Sequence, residues 1–204
     1  MSQPALKTHF DLSGGNLALD FVNTVSHRPS EQPVERLTDY TRLVFFGLES
    51  GVYKNTDRLF MAAGRAPGQA KSALQKAIEF REALFAIFSA IVEHRTIPDN
   101  PLLRLSLMLQ EANANGRIVH RDRRFVWEWI NMDQHLASVQ WAVARAASEL
   151  LLSDDLSRLR MCAADDCAWL FLDHTKNQRR RWCDMKTCGN RVKARRHYER
   201  LKGA

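Results

Sequence analysis

Residues 162–188, CAADDCAWLFLDHTKNQRRRWCDMKTC, contain every cysteine of the 204-residue chain. The cysteines fall into two pairs of the form C-x4-C, Cys162 with Cys167 and Cys183 with Cys188, and fifteen residues separate the pairs. None is left over. Zinc takes four soft ligands in a tetrahedron at about 2.3 Å, and a short loop between paired cysteines lets two sulfurs converge on one ion. A gap of four residues is the long end of that spacing. A reducing cytoplasm argues against a disulfide framework, and a segment of about 44 residues cannot build a sufficient core without a metal or another staple. The surrounding Lys and Arg favour thiolates. Unconnected thiols, redox pairs and an iron–sulfur cluster are the alternatives, and the basic surroundings and the lack of tighter spacing favour zinc over them. Four cysteines leave no open coordination position, so the expectation is one structural Zn2+, with His174 and His197 outside the ligand set.

Working outward from the cysteines, Ala168 to Leu172 form a short apolar run suited to a strand, Asp173 to Asn177 read as a turn, and Arg179, Arg180 and Arg181 lead back to Cys183. After Cys188 the spacing becomes helical, with Ala194, Tyr198 and Leu201 on one stripe and Lys193, Arg196 and Arg200 on the opposite side. The expected arrangement lays the apolar stripe on the zinc module and turns the cationic stripe outward, in a treble-clef-like or ribbon-like finger. Charge is concentrated in the same place. The chain is +7 overall, and residues 161–204 hold eleven Lys and Arg against five Asp and Glu. A positive field confined to one end attracts polyanions, whereas scattered basic residues would indicate only solubility.

The rest of the chain is close to neutral and mainly helical in pattern. Asn16 is placed to cap a helix carrying Leu17, Phe21, Val22 and Val25, and a loop with Pro29 and Pro33 follows. Leu37 to Leu48 restore helical spacing until Gly51, a long helix runs from about Ala70 to Arg95, and another from Leu102 to Ala112. Ile118 to Trp129 alternate and predict a β-hairpin with an aromatic face. Asp133 is expected to cap a last helix through Leu150. The polar Ser153-Asp154-Asp155 marks a boundary, giving a helical domain over residues 1–155 and a finger over 156–204. The fold class is therefore mainly α with one small hairpin, followed by a zinc finger. The first residues carry no secretory signal and no stretch suits a membrane span, so a cytoplasmic protein with no membrane partner is expected.

Cys188-Gly189-Asn190-Arg191, preceded by Cys162-Ala163-Ala164-Asp165-Asp166-Cys167 and followed by Lys193 to Tyr198, resembles the CGNR zinc-finger family. In that family the finger follows a mainly helical ABATE domain, whose early motif is similar to Leu19-Asp20-Phe21-Val22-Asn23-Thr24. The resemblance covers nearly the whole chain and implies a bacterial transcription regulator, described as stress-induced, with a ligand-sensing role for the helical domain.

The expected function is zinc-dependent binding of double-stranded DNA, with Arg179, Arg180, Arg181, Lys186, Arg191, Lys193, Arg195, Arg196 and Arg200 as candidate contacts to phosphates and base edges. A zinc-stapled protein–protein adaptor and an RNA-binding module are the alternatives. Arg81 interrupts an apolar helical stripe and must be paired or face a cavity. It is expected either to bridge to Asp20 or, with Asn23, Thr24, Trp127 and Trp129, to hold a small anionic ligand. Homodimerisation is a further expectation for the helical domain. No nucleophile, base and orienting group can be assembled, and no phosphate loop is present, so no enzyme is expected.

Overall fold

The computed structural model describes residues 9–202, so the first eight residues, read above as lacking a secretory signal, lie outside it. Helix α1 (Leu17–Val22) opens at Asn16, which is extended and accepts the N–H of Ala18 on its side chain at 2.8 Å. The helix is short, but Ala18 to Val22 are all buried, so it is a central element and not a surface one. Strands β1 (Val25–Ser26) and β2 (Val34–Glu35) close the following loop as a two-residue antiparallel ladder. Asp39 caps helix α2 (Tyr40–Glu49) by accepting the N–H of Arg42. Helix α3 (Asp57–Arg65) comes next and has no counterpart in the sequence reading. It is a nine-residue run between the breakers around Gly51 and Pro67, and its apolar stripe, Leu59 with Phe60 and Ala63 packed on the core, spans little more than one turn.

Helix α4 (Pro67–Val92) starts three residues before the expected position, with Pro67 at its first turn where the missing N–H costs nothing. Helix α5 (Asp99–Ala114) likewise absorbs Pro101 into its first turn. Strands β3 (Gly116–Arg121) and β4 (Arg124–Trp129) form the expected hairpin, pairing Ile118 with Trp127 and His120 with Phe125. Its two-residue turn, Asp122-Arg123, has φ of 48° and 61°, the left-handed geometry that matches strand twist. Asp133 does not cap the last long helix. It lies in a one-turn 3-10 segment and pairs with Arg58 at 3.3 Å, and helix α6 (Ser138–Leu151) begins five residues later. Ser138 is held by its hydroxyl, which donates to the Met132 carbonyl at 2.6 Å and meets the Tyr53 hydroxyl at 2.8 Å.

Beyond α6, strands β5 (Leu159–Met161) and β6 (Leu170–Leu172) pair antiparallel, and helix α7 (Asn190–Lys202) is the last element among the described residues. The main core gathers Phe21, Phe46, Leu84, Phe88 and Val143, and it also takes in Leu159, Leu170 and Leu172 from the finger's hairpin. A second small cluster holds the four cysteines with Ala164, Trp169 and Phe171. The two are joined through backbone as well as side chains. The Asn23 carboxamide donates to the Leu170 carbonyl at 2.8 Å and accepts the Leu170 N–H at 2.9 Å, acting as a short strand on the free edge of β6. Along the same edge Leu172 N–H reaches the Gly14 carbonyl at 2.9 Å. Trp169 Nε1 donates to the Val25 carbonyl at 2.7 Å. Among the described residues, no helix is long and apolar enough to cross a membrane.

Candidate metal centre and nucleic-acid face

Strand β5 delivers Cys162, whose N–H bonds the Trp169 carbonyl at 2.8 Å, and a tight turn returns Cys167, whose N–H bonds the Ala164 carbonyl at 3.0 Å. Asp173 then shapes the long connection. Although buried, it accepts Thr175 N–H at 2.9 Å, Thr175 hydroxyl at 2.6 Å and Arg180 N–H at 2.8 Å. Burial alone would raise its carboxyl, but these hydrogen bonds outweigh it and hold the group below the usual range. The loop thus returns the chain to Cys183. Asp184 accepts Thr187 N–H at 2.7 Å and starts a single wide turn, Met185–Gly189, that carries Cys188 into α7.

All four sulfurs lie within 4.8 Å of one another, with Cys167 to Cys183 at 3.7 Å and Cys183 to Cys188 at 3.6 Å. The edge of a tetrahedron of sulfurs about 2.3 Å from zinc is about 3.8 Å, so the donor set fits the ion. Hydrogen bonds from Cys167, Cys183 and Cys188 hold the Cys162 thiol far below its usual range, and hydrogen bonding to Cys162 pushes Cys167 and Cys183 up. Thiols this close cannot all ionise unless a cation neutralises them. The four cysteines hold one structural zinc ion, which staples the two halves of a segment too small to fold on apolar packing alone.

The residues after Cys188 each have a physical task. A Cβ on Gly189 would lie 2.5 Å from the Met185 sulfur and 3.3 Å from the Trp182 ring, so a larger residue here would have to displace the Met185 side chain and press on the ring. Asn190 is the first residue of α7. Arg191 reaches back across the centre, donating to Asp166 at 2.8 Å and to the Cys188 sulfur at 3.4 Å, and so clamps the second cysteine pair to the first. Arg195 repeats the clamp one turn later on Asp165 and also meets Glu199 at 3.5 Å. The acidic pair Asp165-Asp166 was not singled out in the sequence, although two adjacent acids between ligands in a basic segment were a usable signal.

Helix α7 does not lie along the zinc module as its pattern suggested. Tyr198 and Leu201 are exposed, Ala194 is exposed, and only Val192 packs on the cysteine cluster. A helix of this length extends about 20 Å, and a module this small can cover only its first turn. Of the nine basic candidates, Arg180, Arg191 and Arg195 are committed to the protein. Arg180 donates to the Trp182 carbonyl at 2.9 Å and to the Cys183 carbonyl, with its guanidinium 4.4 Å from the Phe171 ring centre. Arg179, Arg181, Lys186, Lys193, Arg196 and Arg200 are exposed, and none is paired with a carboxylate among the described residues. Arg179 and Arg181 line an open groove of about 460 Å3 with Lys176 and Trp182.

In the helical part, Arg81 is 2% exposed and is paired, but not with Asp20. It forms a two-pronged bridge to Glu35 at 2.7 and 2.7 Å, donates to Thr24 Oγ1 at 3.1 Å and reaches Glu82 at 2.9 Å. The short ladder of β1 and β2 delivers Glu35, and a sequence reading that saw only a loop there could not name it. Asp20 instead accepts Gly14 N–H at 2.8 Å, and Thr24 donates to the Phe21 carbonyl at 2.8 Å. Trp127 and Trp129 meet edge to face at 5.6 Å, with the Arg145 guanidinium 4.1 Å over Trp127. No hydrogen bond, ion pair or ring contact among the described residues joins these tryptophans to the Arg81 cluster.

A family model described as "CGNR zinc finger" matches residues 158–201. The ABATE model, described as "Putative stress-induced transcription regulator", matches residues 15–154. No curated protein matches the sequence.

Proposed function

The chain belongs to the ABATE family and ends in a CGNR zinc finger, and from that premise we propose that the finger binds double-stranded DNA through a cationic outer face, in the service of transcription control. One observation carries this reading. Every acidic side chain of the finger is already engaged within the protein: Asp165 and Asp166 by arginine clamps, Asp173 and Asp184 by backbone amides, and Glu199 by Arg195. The cations left over are paired with no carboxylate among the described residues, so they are in excess on the exposed surface and free to meet a phosphate backbone. The finger over residues 156–204 is assigned the DNA contact and the helical part over residues 1–155 the regulatory input.

The test is binding of the zinc-loaded full chain to duplex DNA by fluorescence anisotropy across a salt series. Replacing Lys193, Arg196 and Arg200 together by Gln leaves zinc content and folding intact, because none of the three is paired with a carboxylate. If each neutralises one phosphate, the slope of log affinity against log salt falls by about 0.9 per residue, roughly 2 to 3 in all. An unchanged slope removes α7 from the interface and leaves the groove of Arg179 and Arg181. A wild-type chain with no affinity for duplex overturns the reading and favours an adaptor for an acidic protein. Preference for single-stranded RNA points to stacking on the aromatic residues.

A further inference from the structure

Between α4, α5 and α6 the surface sinks into a cavity of about 200 Å3. Its floor includes Phe80 and Gln140, which are 3% and 0% exposed, and Met108 and Leu107 add apolar wall. Gln140 comes from the core-facing stripe of α6, where a polar side chain must be hydrogen-bonded or suffer for it. Its Nε2 donates to the Ala73 carbonyl at 3.3 Å, but its buried Oε1 has no partner. Leaving such an acceptor unpaired is unfavourable, and a donor brought in from outside would satisfy it. At the mouth stand two cations and two anions. Arg104 pairs with Glu79 at 3.2 Å, Glu111 accepts Trp141 Nε1 at 2.9 Å, and Lys76 completes the set, so the entrance carries no net charge to select an ion.

We propose that this cavity binds a small uncharged aromatic molecule bearing one O–H or N–H donor, of the phenol or indole class. Its ring would lie against the apolar wall and its donor on Gln140 Oε1. Size agrees with this, since an apolar cavity of about 150 Å3 accommodates benzene and this one leaves room for a substituent. The site uses none of the residues of the metal centre or the cationic face, so it stands apart from the DNA reading.

Phenol and toluene have nearly the same shape, and toluene is the more hydrophobic, so the pair separates a donor-seeking site from an apolar dent. Ligand-observed NMR titrations on the zinc-loaded full chain read both affinities. Wild-type protein is expected to bind phenol, and Gln140→Leu to shift the phenol-to-toluene affinity ratio about tenfold toward toluene. Should that variant not fold, Leu107→Trp, at an exposed position, is expected to block the cavity and abolish binding of both probes. No binding of phenol to wild type, a ratio unmoved by Gln140→Leu, or full affinity retained in Leu107→Trp would each overturn the proposal.

Discussion

Asp20 sits beneath the turn at Gly14, and burial pushes its carboxyl up from the ordinary 3.8 to about 6, against the lowering effect of the Gly14 N–H. Well below pH 3.8 the group is protonated whether the chain is folded or not, and it costs nothing. As pH rises through the interval up to about 6, the unfolded chain releases the proton while the folded chain keeps it, so stability falls. Above that the full penalty of a buried charge is present, about 3 kcal/mol by linkage. Asp20→Asn keeps an oxygen for Gly14 and removes the charge. It is expected to stabilise the protein at pH 7.5 by an amount approaching that figure and to have only a small effect near pH 4, as read by urea unfolding at both pH values. Arg191 makes the converse case, a surface residue with a structural task. Groups that orient metal ligands typically govern affinity by ten- to a hundredfold. Arg191→Ala is expected to weaken zinc binding by about tenfold or more, while Lys193→Ala, two residues on at the opposite side of the helix and paired with no carboxylate among the described residues, leaves it unchanged. Competition against a chromophoric chelator distinguishes the two.

At the level of elements, what could be read from the sequence depended on whether its cause was local. The cysteine pairs, the long α4, the β3–β4 hairpin and the cap at Asn16 were legible because spacing and capping are properties of neighbouring residues. Strand β5 escaped because three residues carry no period, and α3 because its stripe of Leu59, Phe60 and Ala63 spans little more than one turn. The period of α7 was legible but its orientation was not, since the amount of surface available to cover a helix depends on everything else in the fold. The same holds for Arg81. Its position on an apolar stripe shows that it needs a partner, but the partner comes from a strand of two residues 46 positions earlier in the chain. In the finger, the helical period already set Lys193, Arg196 and Arg200 on the outward stripe and Arg191 and Arg195 nearer the apolar side, but the acidic partners of those two were not legible. That these two are clamps follows from where Asp165 and Asp166 come to rest.

For the molecule as a whole, the sharing of one core across residue 155 decides how it melts. Leu159, Leu170 and Leu172 are 3%, 0% and 4% exposed, and burying each contributes about 1.5 to 3 kcal/mol. That sum rivals the 5 to 15 kcal/mol that typically separates folded from unfolded domains, roughly. A chain ending at residue 155 is therefore expected to lose its cooperative thermal transition. For the same reason, chelating the zinc from the full chain should lower a single transition and not split off a separate one. Calorimetry of the truncated chain, and of the full chain with and without chelator, tests both. A truncated chain melting at the full-length midpoint would show that the finger's leucines are dispensable to the helices. The joint that makes this core continuous has one more property. Asn23 grips the peptide group of residue 170 and not its side chain, and Gly14 does the same at residue 172. A mutation on the solvent side of the finger leaves such a grip untouched, so the outer arginines and lysines are free to drift while the attachment stays the same. Over generations a lineage of such proteins could retarget what its finger touches without rebuilding the socket that holds it.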